Sequence, residues 1–470
     1  MMTGPIWQWG AADTARAIRE GRISCRDAVE SALERLKDVN ARVNAVTVDL
    51  SDNARVRATD ADAILAADGP RGPLHGVPIT IKENTDQEGQ ANTNGVPAYA
   101  NNMAASNAPA IDNLLKAGAI IIGRTNTPEF SLRWFTDNPL RGQTQNPWKA
   151  GVTPGGSSGG AAAAVALGIG AIGHGSDLGG SLRYPAYCCG VATIRPSLGR
   201  VPAFNATAPE ERPPALQMMS VQGPIAREVK DVRLALAVMA AGDPRDPLWV
   251  PAPLNGPKPD GPVRVAVTKN PAGLSCDPAV AAAVDRAAGI LSDAGYAVEA
   301  HDPPKVDLAA SCWRGLLAAE TRLSMAPAIR EHGSASINAM LDSFLAAAPV
   351  VDLAGYIDLQ RERLRLIRLW ARFQTDYPVI LAPVSQEPPF PQDDDQSGDA
   401  RMATLIDAQT MQYVVNLLGL PAAAVPTGLH DGLPIGVQLI GPRMREDLCL
   451  DAAQAIEDST GVLARILWAA

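Results

Sequence analysis

No part of this sequence is apolar for long enough to cross a membrane. The longest such run, residues 161–173, falls well short of the roughly 20 residues a spanning helix needs. No CxxC occurs, and no group of Cys and His has zinc-site spacing. Cys25, Cys188, Cys189, Cys276, Cys312 and Cys449 therefore read as reduced thiols of a cytoplasmic protein, and no metal ligand set is expected. The opening "MMTGPIWQWGAADTARAIREGRIS" lacks the basic-then-apolar order of a secretory signal. Charge is sparse, at 19% of residues, and its balance is acidic, with a net charge of −9. That argues against a broad phosphate-binding face, so no nucleic-acid partner is expected. Nor does a lysine follow the glycine-rich segments as a P-loop requires.

What the chain does have is glycine and proline in quantity, 41 and 39 residues, and a recurring helix-then-apolar-strand pattern. Ser24 with Asp27 three residues on is a helix-start signal, and Val29, Ala32, Leu33 and Leu36 follow at helical spacing. A polar, Ala-rich helix is expected over 51–67. "GVPITIKEN" alternates like a strand ending at Lys82, and "SNAPAIDNLLKAG" reads as a helix leading into the buried strand "AIIIG". The pattern returns in the strand "PVRVAVT", a helix with Asp277 as N-cap and Pro278 after it, then "YAVEA" and "YPVILAPV". Such alternation predicts a sheet covered by helices. The Pro-rich 250–262 reads as a connector within one unit.

Two charged features invite a choice. Arg361, Arg365, Arg368 and Arg372 fall on one stripe of a helix, opposite Leu366, Leu369 and Trp370. The stripe is either a solvated face or a surface for a membrane or anionic partner. The acidic run at 393–395 reads as a solvated loop.

The segment "TPGGSSGG" (153–160) is the most unusual. Residues 155–159 fit G-x-S-x-G, the turn that exposes a serine nucleophile. That chemistry needs a histidine base, yet His174, His301, His332 and His430 lie in sequence with no obvious acid partner and read as surface or structural residues. "GIGAIG" (168–173) matches a dinucleotide fingerprint literally, but follows a helix-like run and does not open one. The apolar "AAAAVALGIGAIG" excludes a flexible linker.

A different base is available. Lys82 ends an apolar strand, and burial moves a lysine from about 10.4 toward neutrality. A neutral amine can activate a serine hydroxyl, directly or through a second hydroxyl. A third serine, Ser181, closes another glycine turn in "GSDLGGSLRYPA". Backbone N–H groups freed there could converge on an oxyanion.

Together these segments resemble the amidase signature family, known for a Ser–cis-Ser–Lys triad in a Gly/Ser-rich core. The resemblance extends through "AGAIIIGRTNTPEF", "CGVATIRPSLGRVP" and "LLGLPAAAVPTGLHDGLPIGVQLIGPRMRED", covering roughly residues 10–460. It implies Lys82 as base, Ser157 as bridging serine after a cis Gly156–Ser157 bond, and Ser181 as nucleophile. It further implies an oxyanion hole from the backbone of Leu178, Gly179, Gly180 and Ser181. Ser158 is a supporting neighbour, and Asp177 and Arg183 form a flanking charged pair. Glu83 stands where the family usually has Asp, a change with scope to alter the lysine's surroundings. Cys188 and Cys189 are expected in the core.

What the resemblance implies for the whole chain is a single α/β/α domain, a large mixed twisted sheet sandwiched by helices. A helical segment would occupy about 1–70, the signature core about 71–205, and the remainder would complete the sheet and pocket. The implied reaction is hydrolysis of a small-molecule carboxylic amide through an acyl-enzyme, with no cofactor. Trp134, Phe135, Trp313 and the loop "SQEPPFP" are candidates for an apolar wall, against the plain alternative of core residues. Family members are often homodimers. The competing functions are the glutamine-hydrolysing subunit of a tRNA-dependent amidotransferase and a non-catalytic binding protein on the same scaffold. "RWFTDNPLRG" and "NATAPEERPPALQMMSVQGP" depart from the former, and an intact triad disfavours the latter.

Overall fold

A computed structural model describes residues 4–469. Among them, eleven strands form one mixed sheet. In chain order these are β1 (Val46–Asp49), β2 (Pro78–Lys82), β3 (Ile120–Thr125), β4 (Ile172–Asp177), β5 (Ala192–Arg195) and β6 (Val221–Ala226), followed by β7 (Arg264–Val267), β8 (Ala297–Ala300), β9 (Val379–Pro383), β10 (Ala422–His430) and β11 (Leu433–Ile440). Across the sheet they run β1-β3-β2-β4-β6-β5-β10-β11-β9-β7-β8. Parallel pairing links β3, β2 and β4 at one side and β9, β7 and β8 at the other. Antiparallel pairs lie between, centred on the hairpin of β10 and β11.

Period-two burial explains the layers. Along β3, Ile121 joins one apolar core while Ile120 and Ile122 join another on the opposite face. Leu381 of β9 and Leu439 of β11 point to the first core, and Ile380, Ala382 and Ile440 to a third. Successive side chains leave a strand on opposite faces, so a sheet with both faces covered needs apolar residues at nearly every position. Each such Ile or Leu contributes roughly 1.5–3 kcal/mol by leaving water. The first core is closed by the helices Val229–Met239, Pro278–Asp293 and Glu446–Thr460. Cys25–Val43 and Gly159–Ala166 cover the other face at one side, and Val306–Ser324 and Thr410–Leu418 at the other.

The helix-start signals operate as expected. Ser24 and Asp27 form a reciprocal capping box, and Asp277 accepts from the Ala279 N–H. Three expectations change. The N-terminal segment is not wholly helical, because β1 pairs antiparallel with β3. The acidic run at 393–395 is not simply solvated. Arg133, itself buried, donates to Asp393 at 2.8 Å and to Asp395 at 2.6 Å, while Arg401 donates to Asp394 at 2.7 Å. The Arg133 pairs fasten the loop to the segment carrying Trp134, and the Arg401 pair fastens it to the helix Asp399–Ala408. On the helix Leu353–Asp376 the arginine stripe is exposed, but Leu369 is 39% exposed and not part of the packed side. Arg363 and Gln374 pack there with Leu366 and Trp370. No helix among the described residues is long and apolar enough to cross a membrane.

Candidate active site

β2 and β4 are parallel neighbours, so their carboxyl ends open on the same edge of the sheet, where ligands bind in open α/β sheets. That edge carries Lys82 as the last residue of β2, and Ser176 and Asp177 as the last of β4. The turn before the helix Gly159–Ala166 brings Ser157 and Ser158 against them, and the Gly156–Ser157 bond is cis. Gly156 fits because the chain runs hard against its neighbour: a Cβ there would lie 2.2 Å from the Arg133 carbonyl oxygen.

Lys82 is wholly buried. Its Nζ donates to Ser157 Oγ at 2.7 Å, and to Ser158 Oγ and Ser176 Oγ at 3.1 Å each. Burial strips the ammonium of water and pushes the lysine down to about 7, against the opposing pull of Asp177. Glu83 leaves the strand on the other side. It is held by Arg141 at 2.7 Å and Thr93 at 2.7 Å, so the family departure does not place a carboxylate on the lysine.

Asp177 and Arg183 are both inaccessible and pair at 3.1 Å. Burial alone would raise the Asp177 carboxyl, but Arg183, Arg195 and Asn416 outweigh it and hold it well below the ordinary range. Arg183 spends its remaining donors on Gln438, Gln412 and Asn416. Asp177 also accepts from the N–H groups of Gly180 at 2.9 Å and Leu182 at 3.2 Å, fixing the turn that carries Ser181. Gly180 takes φ +106°, a conformation open to glycine, and a Cβ would lie 2.9 Å from Gln412. Removing one partner of a buried pair leaves an uncompensated charge. Asp177→Ala is therefore expected to cost about 3–5 kcal/mol, read as a lowered midpoint in chemical denaturation. An unchanged midpoint would show that the pair does not hold the turn.

Of the four backbone amides expected to face an oxyanion, that of Gly180 is engaged by Asp177. The Ser181 carbonyl accepts from the Ser158 N–H at 3.3 Å, joining the two serine turns.

Ser181 lies where two cavities meet. The smaller, about 760 Å³ including its opening, has walls of Trp134, Trp313, Leu317, Met340, Phe344 and Tyr413. Trp313 stacks on Tyr413 with centroids 4.2 Å apart and donates its indole N–H to the Leu178 carbonyl at 3.2 Å. The larger, about 2010 Å³ counted the same way, is lined by polar and apolar residues together and includes Ser157 and Ser176. Of the residues expected in an apolar wall, Trp134 and Trp313 are there. Phe135 is not: it is wholly buried against Phe390, with ring centroids 6.4 Å apart, and no residue of the "SQEPPFP" loop lines the cleft. Cys188 and Cys189 are buried core residues. His174 is buried and bonded to Gln222, and His301 stacks on Phe373 and Tyr377.

Sequence reasoning passed over Ser176, Gln412 and Asn416. Gln412 and Asn416 stand four apart in the otherwise apolar "TMQYVVNLL", a polar pair on one face of a buried helix, and that was a usable signal. Ser176 had none beyond adjacency to Asp177.

A lysine brought toward neutrality among serine hydroxyls, beside an apolar cleft on this scaffold, defines a hydrolase of amide bonds. The Amidase family's sequence model matches residues 27–450, and the chain belongs to that family. An indoleacetamide hydrolase of Bradyrhizobium diazoefficiens is 53% identical, covering 99% of this chain and 89% of that protein. A glutamyl-tRNA(Gln) amidotransferase component from Synechococcus is 31% identical, over 97% of this chain and 98% of that protein. A bacterial aryl acylamidase of the amidase signature family has a structure that superposes with a TM-score of 0.86 at 27% identity, covering 99% of this chain and 98% of the other.

Proposed function

We propose that the enzyme hydrolyses primary arylacetamides, indole-3-acetamide among them, to carboxylate and ammonia through an acyl-enzyme on Ser181. The observation that carries this reading is the aromatic, apolar cleft that opens beside Ser181. A flat aryl group stacks well on such walls, and the Trp313–Tyr413 pair offers a preformed face. The 53% identical indoleacetamide hydrolase supports the same acyl group.

In this mechanism Ser181 Oγ attacks the amide carbon while its proton passes to Ser157, whose own proton goes to neutral Lys82. The oxyanion gathers against the Leu178, Gly179 and Ser181 amides. Ser157 then protonates the departing nitrogen, a step required because an amide anion leaves poorly. Water enters and the relay runs again to release the carboxylate.

The test is product release by the purified chain alone. Indole-3-acetamide is expected to yield indole-3-acetate and ammonia with no partner protein present, and L-glutamine to be turned over at least about 100-fold less efficiently, since the cleft lining holds no carboxylate to pair with its ammonium. Glutamine as the better substrate would favour the amidotransferase role instead.

A further inference from the structure

The second cavity is far larger than departing ammonia needs. Building on the reading above, we infer that the enzyme also hydrolyses N-substituted arylacetamides whose amine portion bears a cation.

The direction of departure follows from the relay. Ser157 delivers the proton to the leaving nitrogen, and Ser157 opens into the larger cavity. With the aryl group in the apolar cleft on the other side of Ser181, the nitrogen and whatever it carries point into that larger space. A site built for primary amides alone could close on the nitrogen, whereas this one continues outward to solvent.

The chemistry of the walls selects the amine. Asn84, Asn92, Asn94, Asn102 and Asn205 line the cavity. They are locked to one another and to the chain: Asn84 donates to Ser131 and Ser176, and Asn92 and Asn205 donate to the Asn84 carbonyl. They share the lining with apolar side chains such as Phe130, Leu132, Leu216 and Met325, so the alkyl part of an amine finds contact there while its polar end meets the asparagines. The charged residues of the lining are Glu210, Glu211, Glu331 and Arg212. Three carboxylates against one guanidinium give a net negative field, which attracts a cationic amine and repels a carboxylate-bearing one.

The step balances without a co-reactant. The C–N bond of the substituted amide breaks as the ester bond to Ser181 Oγ forms, and the amine leaves with the relayed proton. Water then splits the ester.

The experiment compares phenylacetamide, N-(4-aminobutyl)phenylacetamide and N-(3-carboxypropyl)phenylacetamide with purified enzyme, following phenylacetate release. The aminobutyl amide is expected within about tenfold of phenylacetamide in kcat/KM, and at least about tenfold above the carboxypropyl amide at low salt. That second ratio should fall toward one in the double variant Glu210→Gln, Glu211→Gln and at high ionic strength. If phenylacetamide is hydrolysed while both substituted amides are about 1,000-fold poorer, the inference is overturned and the primary-amide reading stands. Equal rates for the two charged amides overturn the cation preference. If none of the three is hydrolysed, the reading and the inference both fall.

Discussion

Ser181→Ala is expected to reduce amide hydrolysis by roughly 1,000-fold or more, with the fold and ligand affinity intact. The sequence offers a rival, because Ser157 sits in a G-x-S-x-G turn of the kind that presents a nucleophile. The proposed mechanism gives them different roles. Ser157 Oγ is 2.7 Å from the buried Lys82 Nζ, whereas Ser181 lies between the two cavities, where a carbonyl would be presented. A fluorophosphonate probe should therefore label Ser181, identified by peptide mass, and labelling should vanish in Ser181→Ala. Labelling at Ser157 with retained turnover by Ser181→Ala would reverse the assignment.

Lys82→Met should lower kcat by about 10³-fold while leaving the protein at least as stable as the parent. The two effects have one cause. Burial moves the lysine down to about 7, so at neutral pH an ammonium is penalised in the folded chain but not in the unfolded one. The unfolded state binds more protons between about 7 and about 10.4. Stability contributed through this residue is therefore lowest below about pH 7 and rises with pH through that window. An uncharged, similar-sized side chain escapes the penalty. With Lys82 as the proposed base, catalysis needs the neutral amine, so kcat/KM for the parent should climb about tenfold per pH unit below about 7 and level off above it. A flat profile with chemistry rate-limiting, or a variant that loses activity only by unfolding, would remove Lys82 from the role of base.

The legible parts of this protein were those in which one short stretch carries the whole signal. β3 is a run of isoleucines, Ser24 with Asp27 is a self-contained cap, and the lysine strand and the two glycine-serine turns each mark themselves. β4 did not, because "IGHGSD" is a buried strand made of small and polar residues that serve the site instead of filling a core. Long-range pairing hid the rest. Arg133 meets Asp395 across 262 positions, so nothing local says that the acidic loop is held down, and Asn416 reaches Asp177 across 239. Phe135 and Trp134 are adjacent and meet the same apolar cluster, yet only Trp134 also lines the cleft, a distinction composition cannot make.

The sheet order has a consequence for how the chain is made. β10 and β11 occupy the middle of the sheet, between β5 and β9, although they are the last strands to be synthesised. Until residue 440 has left the ribosome, this order allows the nascent chain no more than two separate sheet fragments, each with an unpaired edge where the hairpin belongs. Such edges invite pairing with other chains. A chaperone that shields them during translation would protect this protein most in the interval before its final hairpin arrives, and a stop codon shortly before that hairpin would leave both edges open for good.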